Sequence, residues 1–180
     1  ECVADLSDAS SPHQIVTESL ARWKHVDVLV NNAGIAPVCD LPDTDPNLIE
    51  STMRINAIAP VELVRALWHH WSDRAAGCLL NISSLSASDP FPGFLAYGMS
   101  KAALDGLTRS VHVEGAEMGI RSFGLALGAV ETALLRRIVS EEQFPASQTM
   151  APSEVATKVI ELIDSTSKSD LGTTTPFYRE

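Results

Sequence analysis

Paired cysteines are the first thing this sequence lacks. It holds only Cys2, Cys39 and Cys78, widely spaced and with no Cys-x-x-Cys. Such a set builds neither a disulfide framework nor a zinc site, so reduced thiols in a cytoplasmic protein are expected. Positive charge is scarce too: 13 Lys and Arg face 23 Asp and Glu, a formal net charge of −10. That balance argues against a nucleic-acid or acidic-membrane partner, since both attract basic surfaces. A phosphate-bearing ligand stays open, because backbone N–H groups at helix N-termini bind phosphate without net charge. No apolar run reaches membrane-spanning length, and no signal-peptide pattern opens the chain. His69-His70 could suggest a metal, but adjacent residues do not share a helical face, so none is expected. An initiator Met is missing as well. Glu1-Cys2-Val3-Ala4-Asp5 reads as the tail of a strand already under way, with a segment expected ahead of it.

What is present reads as one globular domain over 1–180. A chain of 180 residues, 45% apolar and 20% charged, can bury a sizeable core. The apolar runs at 26–30, 78–82 and 120–127 are nearly continuous, the pattern of parallel strands covered on both faces. Helical patterns fill the intervals over about 12–23, 46–71, 95–117 and 152–164. Ser10-Ser11 before Pro12, Thr44 or Asp45 before Pro46, and Pro152-Ser153-Glu154 are start signals, and Gly119 is a stop. The second pattern must bend near Pro60. Strand–helix alternation of this kind makes an α/β fold, a doubly wound parallel sheet with right-handed crossovers.

Such a sheet binds its ligand outside the carboxyl ends of the strands. Asp5-Leu6-Ser7, Asn31-Asn32-Ala33-Gly34, Ser83-Ser84 and Gly128-Ala129-Val130-Glu131-Thr132 stand at four of those ends. Each alone is an ordinary turn composition; together on one edge they mark a candidate site. Gly34 permits a tight turn and close backbone approach. Tyr97-x-x-x-Lys101 falls in a helical pattern, and i, i+4 spacing puts both side chains on one face. A free phenol has a pKa of ~10, and a neighbouring ammonium favours its ionised form, which readies it for acid–base work. The sequon Asn81-Ile82-Ser83 lies in an apolar strand and reads as accidental.

Asn31-Asn32-Ala33-Gly34, then Asn56, then Ser84 thirteen residues before Tyr97, then Lys101, resemble the ordered motifs of short-chain dehydrogenases/reductases. The likeness is to the short single-domain type that includes 3-oxoacyl-(acyl-carrier-protein) reductases, and it runs by motif from Asp5 to about Thr132. The resemblance implies a Rossmann-type fold in three layers, incomplete at its N-terminus. It implies hydride transfer between NAD or NADP and a ketone or secondary alcohol. It makes Tyr97 the acid/base group and Ser84 the hydrogen-bonding partner of the substrate oxygen. Lys101 would hold the nicotinamide ribose and lower the Tyr97 pKa, and Asn56 would bend the long helix and position a water toward Lys101. By the same resemblance Asp5 and Leu6 lie beside the adenine and Asn32, Ala33 and Gly34 along its ribose. Gly128, Val130 and Thr132 lie against the nicotinamide carboxamide.

Three departures stand against the family pattern. The glycine-rich turn that cradles the pyrophosphate and the strand end that selects NAD or NADP are absent, a front of two βα units or on the order of sixty residues. Leu127-Gly128 replaces the usual Pro-Gly, and Phe123 stands where Asn is common. The tail 171–180 does not resemble the closing strand with its Asp-Gly-Gly.

Apolar residues run almost all round the pattern at 48–71: Leu48, Ile49, Met53, Ile55, Ala57, Val61, Leu63, Val64, Leu67, Trp68 and Trp71. A helix lying on a sheet needs one apolar stripe, so a second buried face is expected. With the small residues Ala103, Gly106 and Ser110 nearby, this predicts a homodimer or homotetramer. The substrate is expected over Ser84 and Tyr97, near Ser86, Phe91, Phe94 and a flexible segment at 133–148. No charged clamp is visible there, which points to a neutral small molecule. Two rival readings are a non-catalytic or truncated relative, serving as a cofactor-sensing or protein-interaction module, and an extended nucleotide-sugar epimerase. The second shares the Tyr-x-x-x-Lys pair but needs a longer C-terminal region than follows Thr132.

Overall fold

A computed structural model describes residues 1–165, 167 and 169–179. Four parallel strands, β1 (Val28–Asn31), β2 (Gly77–Ser84), β3 (Ile120–Leu127) and β4 (Thr174–Phe177), form one sheet in the order β1-β2-β3-β4. Val28 pairs with Cys78, Leu79 with Ser122 and Gly124 with Thr174. Every residue of β2 is buried, so its run needs no polar alternation.

The helices are α1 (Ser11–Trp23), α2 (Pro46–Met53), α3 (Ala59–Arg74), α4 (Leu95–Gly115), α5 (Ala133–Ile138) and α6 (Pro152–Asp164). Successive strand side chains point to opposite faces, which sorts them into three layers. On one face Leu79 and Ile120 pack with Val16 of α1, Leu63, Val64, Leu67 and Trp71 of α3, and Val111 of α4. On the other, Cys78, Leu80, Ile82, Phe123 and Leu125 pack with Leu162 of α6. The strands advance in one direction across the sheet, while α3 and α4 lie on one face and α6 on the other. The β3–β4 connection is therefore opposite in hand to the other two, and the expectation of right-handed crossovers throughout fails at one connection.

Other boundaries also differ from expectation. Residues 1–4 form no strand: they make no ladder hydrogen bonds, and Val3 is 88% exposed. An extended segment becomes a strand only where a neighbour supplies donors and acceptors, and β1 pairs with β2 alone. The long pattern at 46–71 divides into α2 and α3 around a π-turn at Arg54–Ile58, which puts the bend at Asn56. Pro60 then falls in the first turn of α3, where its missing N–H removes no helical bond. The third pattern ends as α4 at Gly115, followed by a tight turn that Gly119 closes at φ 76°. A Cβ on Gly119 would run into the Ala75 carbonyl, so both the turn and the close approach call for glycine. The segment at 133–148 contains α5, and the tail supplies β4. No helix among the described residues is long and apolar enough to cross a membrane.

Candidate active site

Parallel register brings Asn31, Ser84 and Leu127 to one edge of the sheet. Buried asparagines tie that edge together. Asn31 Nδ2 donates to Asn81 Oδ1 at 2.8 Å, and Asn81 Nδ2 donates to Thr108 Oγ1 of α4 at 2.9 Å. The sequon asparagine is thus fully enclosed. Beyond β1, Asn32 and Ala33 are exposed and the chain turns inward at Gly34. A Cβ on Gly34 would stand 3.0 Å from Asn56 Oδ1 and 3.8 Å from Lys101 Nζ, so only a bare backbone passes here without displacement.

Asn56, in the π-turn, is 1% exposed and fully partnered. Its Oδ1 accepts from Ile35 N at 2.9 Å, and its Nδ2 donates to Ile35 O at 2.8 Å and Ser100 Oγ at 2.9 Å. Ser100 Oγ in turn donates to Tyr97 O at 2.7 Å. Residue 56 therefore clamps the chain after β1 to the helix that carries Tyr97 and Lys101. Sequence reasoning missed Ile35 and Ser100. Ser100 left one signal, a serine inside a helical pattern that can bond back one turn, whereas Ile35 acts through its backbone and leaves none.

Ser84 ends β2, with its Oγ accepting from Ser86 N at 3.2 Å. Tyr97 is half-buried in the first turn of α4. Lys101 is buried, its Nζ donating to Ile82 O at 2.7 Å and standing 5.6 Å from the Tyr97 ring centre. Burial lowers the Lys101 pKa to about 8, with the Asp105 charge pulling the other way. Burial raises that of Tyr97, opposed by the Ser84 hydroxyl beside it. The net Tyr97 shift is thus upward, against the lowering that a lysine one turn away was expected to impose. Desolvation of the phenolate is the larger effect here.

At the end of β3, Gly128 N donates to Phe177 O at 3.0 Å, and a Cβ on Gly128 would lie 3.7 Å from Leu85 Cδ1, next to Ser84. Val130 bridges to Met150, and Thr132 caps α5 by accepting from Leu135 N at 3.2 Å. Asp5 and Leu6 precede α1. With no strand at 1–4 they end none, and the Asp5 carboxylate accepts from Ser7 N at 2.9 Å in an exposed turn before α1. Among the described residues no group of three or more His, Cys, Asp and Glu side chains could hold a metal ion.

The family model described as short chain dehydrogenase matches residues 2–143. Over 142 residues the chain is 30% identical to dehydrogenase/reductase SDR family member 4 of Pongo abelii, covering 78% of this chain and 51% of that protein. A gluconate 5-dehydrogenase from Burkholderia cenocepacia, solved in complex with NADP and tartrate, superposes with a TM-score of 0.87 at 28% identity, covering 98% of this chain and 72% of that one. A 4-hydroxyisoleucine dehydrogenase complexed with NADH gives 0.84 at 25%, covering 97% and 77%. The chain spans about half the length of the curated relatives it matches first. Most of its residues fall within the family match, and the chain belongs to the short-chain dehydrogenase family.

Proposed function

We propose that residues 1–180 form one NAD(P)-binding catalytic domain of an oxidoreductase that moves a hydride between NAD or NADP and a ketone or secondary alcohol. One observation carries the reading: Tyr97 and the enclosed Lys101 stand beside Ser84 at the carboxyl edge of a parallel sheet. Solved relatives of like fold bind NADP or NADH, which supports the cofactor class. The residues present fit the ribose and nicotinamide end of such a cofactor. The bare backbone at Gly34 lies against Asn56 and Lys101, and the Lys101 ammonium has N–H groups to spare beyond its bond to Ile82 O. Among the described residues no strand leads through a glycine-rich turn into a helix, so this set offers no counterpart of a pyrophosphate cradle.

When bound, the nicotinamide supplies or accepts the hydride. The chain's own residues manage the proton and the oxygen. A phenol, with an ordinary pKa of about 10, is neutral at neutral pH. Burial moves Tyr97 further in that direction, so its resting form is the acid that a carbonyl oxygen requires during reduction. Ser84 Oγ accepts from Ser86 N, which leaves its own proton to donate toward the substrate oxygen. Lys101, charged below about pH 8, offsets the charge that forms on Tyr97 as it gives up its proton. Asn56 keeps the 34–35 backbone fixed against α4. We expect Tyr97→Phe to lower NADH- or NADPH-dependent ketone reduction at least about a hundredfold, with an unchanged thermal unfolding curve. A variant that kept most of the rate would remove Tyr97 from the role.

We propose a homodimer or homotetramer assembled on α3 and α4. Val61, Ala103, Leu107 and Ser110 line an open groove of about 860 Å³ between these helices, and Val61 and Val113 are 38% and 80% exposed. A charged substitution, Val61→Glu, is expected to give monomers by size exclusion with light scattering; intact assembly would defeat the proposal. The three free thiols support a reducing, cytoplasmic setting.

A further inference from the structure

Three aromatic rings stand in successive contact, from the solvent-exposed Phe91 through Phe94 to the proposed acid. Phe91 and Phe94 lie 6.1 Å apart between ring centres, and Phe94 and Tyr97 5.7 Å apart, both pairs edge to face at 70° and 71°. The outermost ring, Phe91, is 60% exposed in the loop between β2 and α4. The loop after β1 docks on this one: Cys39 N donates to Gly93 O at 2.9 Å, and a Cβ on Gly93 would lie 2.8 Å from Val38 Cγ1. Val38 is itself 53% exposed, so the two loops that meet beside Tyr97 both present apolar side chains to solvent. Their charge is one-sided. Residues 32–41 and 85–96 contain no Lys or Arg, and their only charged residues are Asp40 and Asp89. A substrate carboxylate or phosphate would meet like charge and find no cation in either loop.

We propose that the carbonyl substrate carries an uncharged aromatic ring, seated against Phe91 and Phe94, with Phe91 determining specificity. The proposal rests on the reading of Tyr97 as the acid/base group. The reaction balances as before: ketone, reduced cofactor and one proton give secondary alcohol and oxidised cofactor. Aromatic pairing adds to plain apolar burial through the ring quadrupoles, so the ring should be distinguished from a saturated ring of equal size.

Acetophenone, cyclohexyl methyl ketone and benzoylformate present similar carbonyls and differ in aromaticity or charge. Binding to the full protein is read by saturation-transfer NMR, with and without oxidised NAD and NADP, where no reduction takes place. Turnover is then read with NADH and NADPH. Acetophenone is expected to bind roughly two- to tenfold more tightly than cyclohexyl methyl ketone, and benzoylformate more weakly than either. Phe91→Ala, a change at an exposed side chain whose folding an unfolding curve verifies, should erase the aromatic preference. Tyr97→Phe should keep the preference and lose the turnover. A preference for benzoylformate, equal binding of all three, or a preference untouched by Phe91→Ala overturns the aromatic seat while leaving Tyr97 its role. Aromatic preference in a protein that reduces no ketone upholds the seat and overturns the role.

Discussion

Two strand ends meet at the same edge of this sheet and hold their residues by different means. After β2, the groups around Tyr97 are fixed by burial. Asn56, Ser100 and Lys101 are each 4% exposed or less, and each polar side chain has a partner. After β3, the chain from Gly128 to Gln148 has no buried residue and is held near the surface, anchored at its end by the buried Thr149. The Glu131 carboxylate takes both Arg136 and, at 3.1 Å, Thr149 Oγ1, and Arg136 also donates to Phe144 O at 2.8 Å. Misplacing a buried polar group strands it without water, whereas a surface pair that opens is resolvated at once. The first arrangement suits chemistry that needs fixed distances. The second suits a segment that can open and close at little cost. Substitutions on either side test this difference.

Lys101→Met should have the largest effect. Its loss removes the cation opposite the forming phenolate, and reductase activity is expected to fall at least about a hundredfold. Stability offers a second reading, independent of turnover. The folded Lys101 pKa is about 8 against an ordinary 10.5. Between those values the unfolded chain binds more protons, so this residue makes stability rise with pH across that window. Below pH 8 it is protonated in both states and its burial cost is felt in full. Burial raises the Tyr97 and Cys78 values, and both groups pull stability down at high pH in either protein. The difference between wild type and Lys101→Met isolates the lysine. Across the window wild type should gain on the order of 3 kcal/mol relative to the variant. Denaturant unfolding at several pH values checks this, and parallel pH profiles would contradict it.

Asn56→Ala comes next. It leaves Ile35 N–H, Ile35 C=O and Ser100 Oγ short of partners at a site where the native side chain is 1% exposed. A loss of roughly 2–4 kcal/mol in denaturant unfolding is expected. A change below about 0.5 kcal/mol, the ordinary surface range, would show that burial does not fix this strand end.

Much of this edge was legible in the sequence because the signals were local. The nearly continuous apolar runs at 78–82 and 120–127 marked the central strands, and the polar and glycine residues that follow them, Ser83-Ser84 and Gly128 to Thr132, marked the edge itself. What escaped depended on partners far along the chain. The four residues of β4 include Pro176 and carry no apolar run; they become a strand because Gly124 and Thr174 come into register. Pro176 is tolerated there because β4 is an edge strand. Residues 1–4 carried a strand-like pattern but found no neighbour to pair with. The change of hand between β3 and β4 has no periodicity to announce it. Likewise a lysine four residues from a tyrosine says nothing of how deeply both are buried, and burial set the direction of both pKa shifts.

The smallest effect is expected on the β3 side. The Arg136 and Glu131 side chains remain 22% and 37% exposed, so their pairing is screened by water and salt. Arg136→Ala should leave the melting temperature within roughly 2 °C of wild type. Its consequence should be local. Arg136 is the residue that ties Glu131 at the start of α5 to Phe144 beyond its end, so amide hydrogens across 133–148 should exchange several times faster in the variant. Amides of α4 around Tyr97 and Lys101 should keep their wild-type protection, since no bond of theirs passes through Arg136. Raising salt on the wild-type protein should move exchange at 133–148 in the same direction and to a lesser degree. If α4 loosened together with α5, the two strand ends would form one cooperative unit, and residues 133–148 would be held by the same burial that fixes Tyr97.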